Sequence, residues 1–522
     1  MDRPVRMSII AISLVVMLLT LQVGVSAKKK SSKRKSRVAR SAPVVFMAPV
    51  GSSVPVIVTS PVLTRAVTGA TFMRSGTPTP APQPAAPATP AAPTAGTGSG
   101  SGDSDGEGKR PTFRRFPSAP TSGSLIISEF RLQGPNGAGD EYIEIYNDSG
   151  ADHTVTALSG TGYAVAASDG IVRCSIPNGT VIPARGHYLC TNSGAGGYSL
   201  GSYPAGNGNV TTGDATYTTQ ITNGEDPDGM GGNPPTPRQG IALFNNNSGG
   251  GSFTLANRFD AVGPTSEANT LYREGTGLPD LTFFTIDYAF ARDECGKGGS
   301  ITTMGPCTIS TPKDTDNNAA DFYFVDTNGT SAGAGQRLGA PGPQNLSSSI
   351  QRNSTITENL LDSTVAKANP PNRVRDFTSV PAQNSTFGTI SLRRRFVNNT
   401  GASITSLRFR IIDITTFPAP SGIADLRPRT SGPVVVAGIN DTVTCSATGA
   451  PATPPCSATV QGTTLDQPPS QPNGGGFNSS LTAGTVTLGT PLANGASINL
   501  QFLLGIQQTG SFKIYVNIEA LP

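Results

Sequence analysis

The sequence predicts an all-β protein, two successive β-sandwiches preceded by a disordered Pro/Ala/Gly-rich linker. Three observations carry that prediction. The 522 residues include 62 glycines and 44 prolines, which break helices, and no tryptophan. The apolar runs that remain are short and rich in Val, Ile, Thr, Phe and Tyr, the residues that fit a pleated surface. Several of them alternate with period two, as in EYIEIYN at 141–147.

At the N-terminus, MDRPVR carries Arg3 and Arg6, an apolar run follows, and small residues precede a break after Ala27. This is the layout of a secretory signal, so residues 1–27 are expected to be removed. The next segment, KKKSSKRKSRVAR at 28–40, holds eight basic residues and no acid. A positive flank of that strength favours the cytoplasm, which makes a reversed anchor the competing reading. Ser13, Thr20 and Gln22 interrupt the apolar run, which falls short of the roughly 20 apolar residues of a membrane span. Export is therefore expected, to a secreted, periplasmic or cell-surface location.

Of the net charge of +4, the signal contributes +1 and the basic run +8, leaving about −5 for residues 41–522. The basic balance thus belongs to a segment that cannot pack and reads as a solvated leader, not a nucleic-acid-binding surface. Residues 28–120 form the linker, with a Pro/Ala/Thr stretch and then a Gly/Ser/Asp stretch. Its GDSDG, residues 102–106, matches the G-x-S-x-G string of serine hydrolases, but that motif works only on a turn between a strand and a helix.

The first folded domain is expected over 121–346. Leu125 to Phe130 reads as a strand, and in EYIEIYN the alternation places Ile143 and Ile145 on one face and Tyr142, Glu144 and Tyr146 on the other. Glu141 and Glu144 therefore point to opposite sides and are not an acid/base pair. Glu144 is expected to bond across the strands to a Lys, an Arg or a hydroxyl, and Asn147 to Gly150 make the turn. The six cysteines fall as close pairs, Cys174 with Cys190, Cys295 with Cys307 and Cys445 with Cys456. Six cysteines allow 15 connectivities, of which neighbour pairing is the simplest. Three disulfides agree with an oxidising compartment. With no CxxC and only two histidines, His153 and His187, a Cys/His zinc site is not expected.

ISEFRLQGPNGAGDEYIEIYNDSG resembles the opening pair of strands of the lamin tail domain family. NGTVIPARGHYLCTN (178–192), QGIALFNNNSGG with RFDAVG (239–263, Asp260 at the acidic position) and LGAPGPQN (338–345) follow in the family's order, so the resemblance covers about 124–345. It implies an immunoglobulin-type β-sandwich that contacts protein or nucleic acid, of a kind found in exported bacterial proteins, with no shared catalytic residues. This chain departs from the pattern in the long segment 191–238 and in the acidic turn at 313–322. There Asp314, Asp316, Asn318 and Asp321 offer oxygen ligands for calcium, as do Glu225, Asp226 and Asp228. Neither set has the EF-hand spacing, and an Asx-rich turn is the expectation.

Residues 347–522 are expected to form the second sandwich. Phe387–Val397 and Ile404–Thr415 read as a hairpin around NNTGAS, and VVVAGIN, TVTLGT, SINLQFLLGI and SFKIYVNIEAL supply further strands. Arg393, Arg395, Arg408 and Arg410 then make either a charged solvent face or a basic stripe for nucleic acid or anionic glycan. Arg394, on the apolar side, needs a buried acid such as Asp413 or Asp425. No phosphate loop, dinucleotide fingerprint or HExxH occurs, and neither histidine has a partner nearby in sequence. The expected protein is a non-enzymatic binding or scaffolding protein with no cofactor, facing an envelope or extracellular protein or glycan. Its contact surface would be the loops 191–238 and 264–312. The alternatives are anionic-ligand binding through the arginines, or a hydrolase accessory or unrecognised hydrolase.

Overall fold

The computed structural model describes residues 125–522 except 207–208, 222–237, 282–285, 295–311, 330–334, 336, 354 and 468–473. The signal, the linker, Cys295, Cys307, Glu225, Asp226 and Asp228 lie outside the described residues. The fold is all-β, with 44% strand against 7% helix.

Ten strands build the first sandwich: β1 (Leu125–Arg131), β2 (Tyr142–Asn147), β3 (Gly162–Ala167), β4 (Val172–Pro177), β5 (His187–Asn192), β6 (Ala215–Tyr217), β7 (Ile241–Phe244), β8 (Arg258–Val262), β9 (Tyr288–Arg292) and β10 (Phe322–Asp326). One sheet runs β8-β7-β3-β4 and the other β6-β5-β2-β1-β9-β10. Ile127, Ile143, Ile145, Val165, Leu243, Tyr288 and Phe324 fill the space between them. The Cys174–Cys190 disulfide joins β4 of one sheet to β5 of the other.

The second sandwich contains β11 (Ile350–Gln351), β12 (Ile356–Leu360), β13 (Arg373–Asp376), β14 (Thr389–Asn398), β15 (Ser406–Ile414), β16 (Asp425–Arg429), β17 (Thr464–Gln467), β18 (Ser480–Thr482), β19 (Ser497–Gln508) and β20 (Ile514–Leu521). Its sheets run β11-β20-β15-β18-β17 and β12-β14-β19-β16, with β13 also on β14. The expected hairpin is therefore not one: β14 pairs with β19 and β15 with β20, and NNTGAS carries the chain from one sheet to the other. TVTLGT is a turn region, in which Val486 is buried and Leu488 is 66% exposed. The second described disulfide, Cys445–Cys456, ties the short helix Thr442–Thr448 to the strand Cys456–Val460.

The six-stranded sheet is covered on both faces. One buried cluster runs from Tyr142, Leu189, Ala291 and Tyr323 of the first sandwich to Phe409, Phe477, Leu481 and Ile518 of the second. Leu200 and Tyr203, from the loop expected to be contact surface, are buried in it as well, so that part of the 191–238 segment is interior. Tyr272 and Leu278 likewise bury the described start of the second expected loop. The main chain adds to the seam, since Ala340 N donates to Phe477 O and Phe477 N to Leu338 O, both at 3.0 Å.

Candidate functional site at the junction of the sandwiches

Glu129 and Glu144 stand directly opposite each other on β1 and β2, and both face the second sandwich. A bulge between Ile127 and Glu129 resets the register, so Ile127 packs into the core while Glu129 turns outward. Glu129 accepts from Tyr142 Oη (2.5 Å), Gly342 N (2.6 Å) and Asn478 Nδ2 (2.8 Å). Glu144 accepts from Ser128 Oγ (2.6 Å), His187 Nδ1 (3.0 Å) and Gln344 N (2.6 Å). The Ser128 bond is the hydroxyl partner that the strand pattern predicts. Burial, then the like charge of Glu144, pushes the Glu129 carboxyl up to about 7.

The opposing wall comes from β15 and β20. Glu519 takes Arg408 Nε on one oxygen (2.7 Å) and Arg410 Nε on the other (3.0 Å). Burial alone would raise Glu519, but the two guanidiniums hold it below the usual carboxylate range. Arg410 also donates to Asn478 Oδ1 at 2.9 Å. Gln344 closes the network: with its carboxamide oriented to satisfy every neighbour, it donates to His187 Nε2 (2.7 Å) and accepts from Arg408 Nη2 (3.1 Å). His187 Nε2 then accepts, which puts the ring proton on Nδ1, facing Glu144. Glu294, bonded to Asn517, is pushed up to about 8, first by burial and also by the nearby Glu519. The space left among these groups is about 40 Å³, room for a few waters and no substrate.

The four arginines read as a solvent face or a basic stripe do not share a surface. Arg408 and Arg410 are buried at this junction, whereas Arg393 and Arg395 lie on a strand of the other sheet, with Arg395 Nε bonded to Thr444 Oγ1 at 3.2 Å. Arg394 pairs with the half-buried Glu358 at 2.6 Å and not with Asp413 or Asp425, which pair with Lys513 and Arg427. His153 Nε2 sits 3.2 Å from Tyr163 Oη.

The alternative calcium set does not converge, and the segment forms the expected Asx-type turn. Asp321 caps its own turn, accepting from Thr315 N (2.8 Å) and Thr315 Oγ1 (2.7 Å), and Asn318 bonds the main chain of Ala261, Gly263 and Glu274. Asp314 instead meets Asp260 and Glu274, with one carboxylate oxygen of each within 4.8 Å of the others. Burial, then Asp260, pushes Glu274 up to about 9, and the same two causes push Asp314 up to about 6.

A separate cleft of about 500 Å³ opens where the hairpin around Pro204 and Val210 meets β15 and β18. Arg408, Asp466, Thr482, Val486 and Leu488 line it, and burial pushes Asp466 up to about 7.

No helix among the described residues is long and apolar enough to cross a membrane, and the two described disulfides fit an oxidising compartment. Comparison of the chain with known protein families, with curated proteins and with solved structures finds no match.

Proposed function

We propose that this is an exported, non-enzymatic binding or scaffolding protein whose first sandwich is of the lamin-tail type. The observation that supports it most is the way the motif residues are used. Glu129 and Glu144 hold the main-chain N–H groups of Gly342 and Gln344, and Asp260 holds Ile127 N at 2.6 Å. The segments that carry the family resemblance therefore clasp one another, and their carboxylates serve as fasteners with their acceptor sites filled. The result is a rigid two-sandwich body, and the cleft beside Pro204 and Leu488 is the concave surface it presents at the domain boundary, where ligand sites concentrate.

The test is co-sedimentation of the purified chain with isolated cell envelopes, wild type against Leu488→Asp and against Asp466→Asn. Saturable binding that either cleft variant weakens about tenfold is the expected result. Binding unchanged in both variants removes the cleft from the reading, and no binding of the wild type to envelope material removes the envelope partner.

A further inference from the structure

We propose that Lys513 and Asp413 are joined side chain to side chain, by an amide bond between Lys513 Nζ and Asp413 Cγ that links β20 to β15. Lys513 immediately precedes β20, and the strand register sets Asp413 opposite Tyr515 and Ile414 opposite Ile514. Thr415 N donates to Lys513 O at 3.1 Å, so Thr415 stands opposite Lys513. Alternation therefore turns Ile414 and Ile514 to one side of the sheet and Asp413, Thr415, Lys513 and Tyr515 to the other. There Lys513 Nζ touches Asp413 Oδ2 and lies 5.6 Å from the centre of the Tyr515 ring. Lys513 is 5% exposed and Asp413 1%. Among the described lysines it alone is buried, Lys313 being half-buried and Lys367 exposed.

A lysine and an aspartate that meet away from water keep their charges only at the cost of desolvating both. Proton transfer from ammonium to carboxylate leaves an amine and a carboxylic acid, which is the reactive pair. Nζ then bonds to Cγ and one Cγ–O bond breaks. The oxygen leaves as water, with one proton from the carboxyl and one from the amine; nothing is oxidised or reduced and no co-reactant is used. Held in contact, the two groups react as if at an effective concentration on the order of 10⁵–10⁸ M, and the burial that holds them excludes the water that would reverse the step. Two neighbours serve the reaction. Thr415 Oγ1, fully buried on the same face, has no hydrogen-bond partner among the described residues and passes the amine proton to the leaving oxygen. Arg337, 6% exposed, reaches in from the first sandwich, with its guanidinium 5.2 Å from the ring centres of Tyr323 and Phe477. Its Nη1 has no hydrogen-bond partner among the described residues, and the charge of Asp413 acts on it. A cation placed there stabilises the oxyanion of the tetrahedral intermediate.

The experiment is intact mass spectrometry of the full chain after complete reduction and denaturation, with a peptide digest, on the wild type, Lys513→Met and Asp413→Ala. The wild type is expected to weigh one water less than its sequence and to yield a branched peptide that joins the fragments carrying Asp413 and Lys513. Both variants are expected to show the full mass. The branched peptide locates the bond in the wild type whether or not the variants fold. Thr415→Val is expected to leave at least tenfold more unlinked chain than the wild type, and Thr415→Ser to restore the link. A wild type of full mass with no branched peptide overturns the proposal and leaves the pair a buried salt bridge. So does a mass deficit that persists in Lys513→Met, because the water is then lost elsewhere. A fully linked Thr415→Val chain overturns the proton relay.

Discussion

Glu519 holds two buried guanidiniums at once, and its replacement tests how much the junction depends on single charges. Losing one partner of a buried pair costs about 3–5 kcal/mol, because the charge left behind keeps its desolvation penalty. Glu519→Gln is therefore expected to lower the unfolding free energy, read from urea denaturation, by about 3–5 kcal/mol, whereas Arg393→Ala, on a half-buried outer position, is expected to cost less than about 1 kcal/mol. Equal effects would mean that the two arginine pairs occupy similar environments. The sequence put all four arginines on one face, since Leu-Arg-Phe-Arg reads as a strand with a solvent side. Nothing in a period of two distinguishes a face turned to water from one turned to another sheet that carries the opposite charge. A weak signal was present in the acids of the ISEF and EYIE segments, which complement those arginines in sign.

At the scale of elements, the segment 338–345 is the gasket between the sandwiches. Gly342 has no room for a side chain: a Cβ would stand 2.2 Å from Arg410 Nη1 and 3.0 Å from Asn478 O. Gly342→Ala is expected to destabilise by about 1–3 kcal/mol through this overpacking, and to raise protease cleavage between the sandwiches. Gly401→Ala, in the turn at φ +88°, strains the local backbone but meets no neighbouring atom, and should leave the junction resistant to protease. The strands themselves were largely legible, with β1, β2, β14, β15, β19 and β20 near their expected places, because alternation and turn residues are local properties. Strand pairing was not, and β14 and β15 show why. A six-residue connection serves a hairpin and a sheet-to-sheet corner equally well, and only the partners β19 and β20, about a hundred residues on, decide between them. Part of the 191–238 segment turned inward for a related reason. Leu200 and Tyr203 sit in a Gly/Ser-rich stretch, and such composition conceals two side chains that the second sandwich buries.

Across the whole molecule, buried carboxyls set the pH dependence. Glu129 and Glu141 rise from 4.5 to about 7 and Glu294 to about 8, in each case first through burial. The folded chain thus keeps protons that the unfolded chain releases above its ordinary carboxyl value. Their contribution is fully present below about pH 4.5 and is lost as pH rises through 7 to 8. Glu519 acts in the opposite sense, its contribution disappearing as pH falls below the usual carboxylate range. The urea midpoint is expected to be higher at about pH 5.5 than at about pH 8.5, and Glu294→Gln is expected to shrink the difference. A midpoint that rises over that interval would contradict the assignment. The central claim is that the two sandwiches are fastened into one body through a shared core and a saturated polar seam. Differential scanning calorimetry of the full chain tests it most directly. The account predicts a single transition whose calorimetric and van't Hoff enthalpies agree; two resolved transitions, each with the heat of one sandwich, would contradict it.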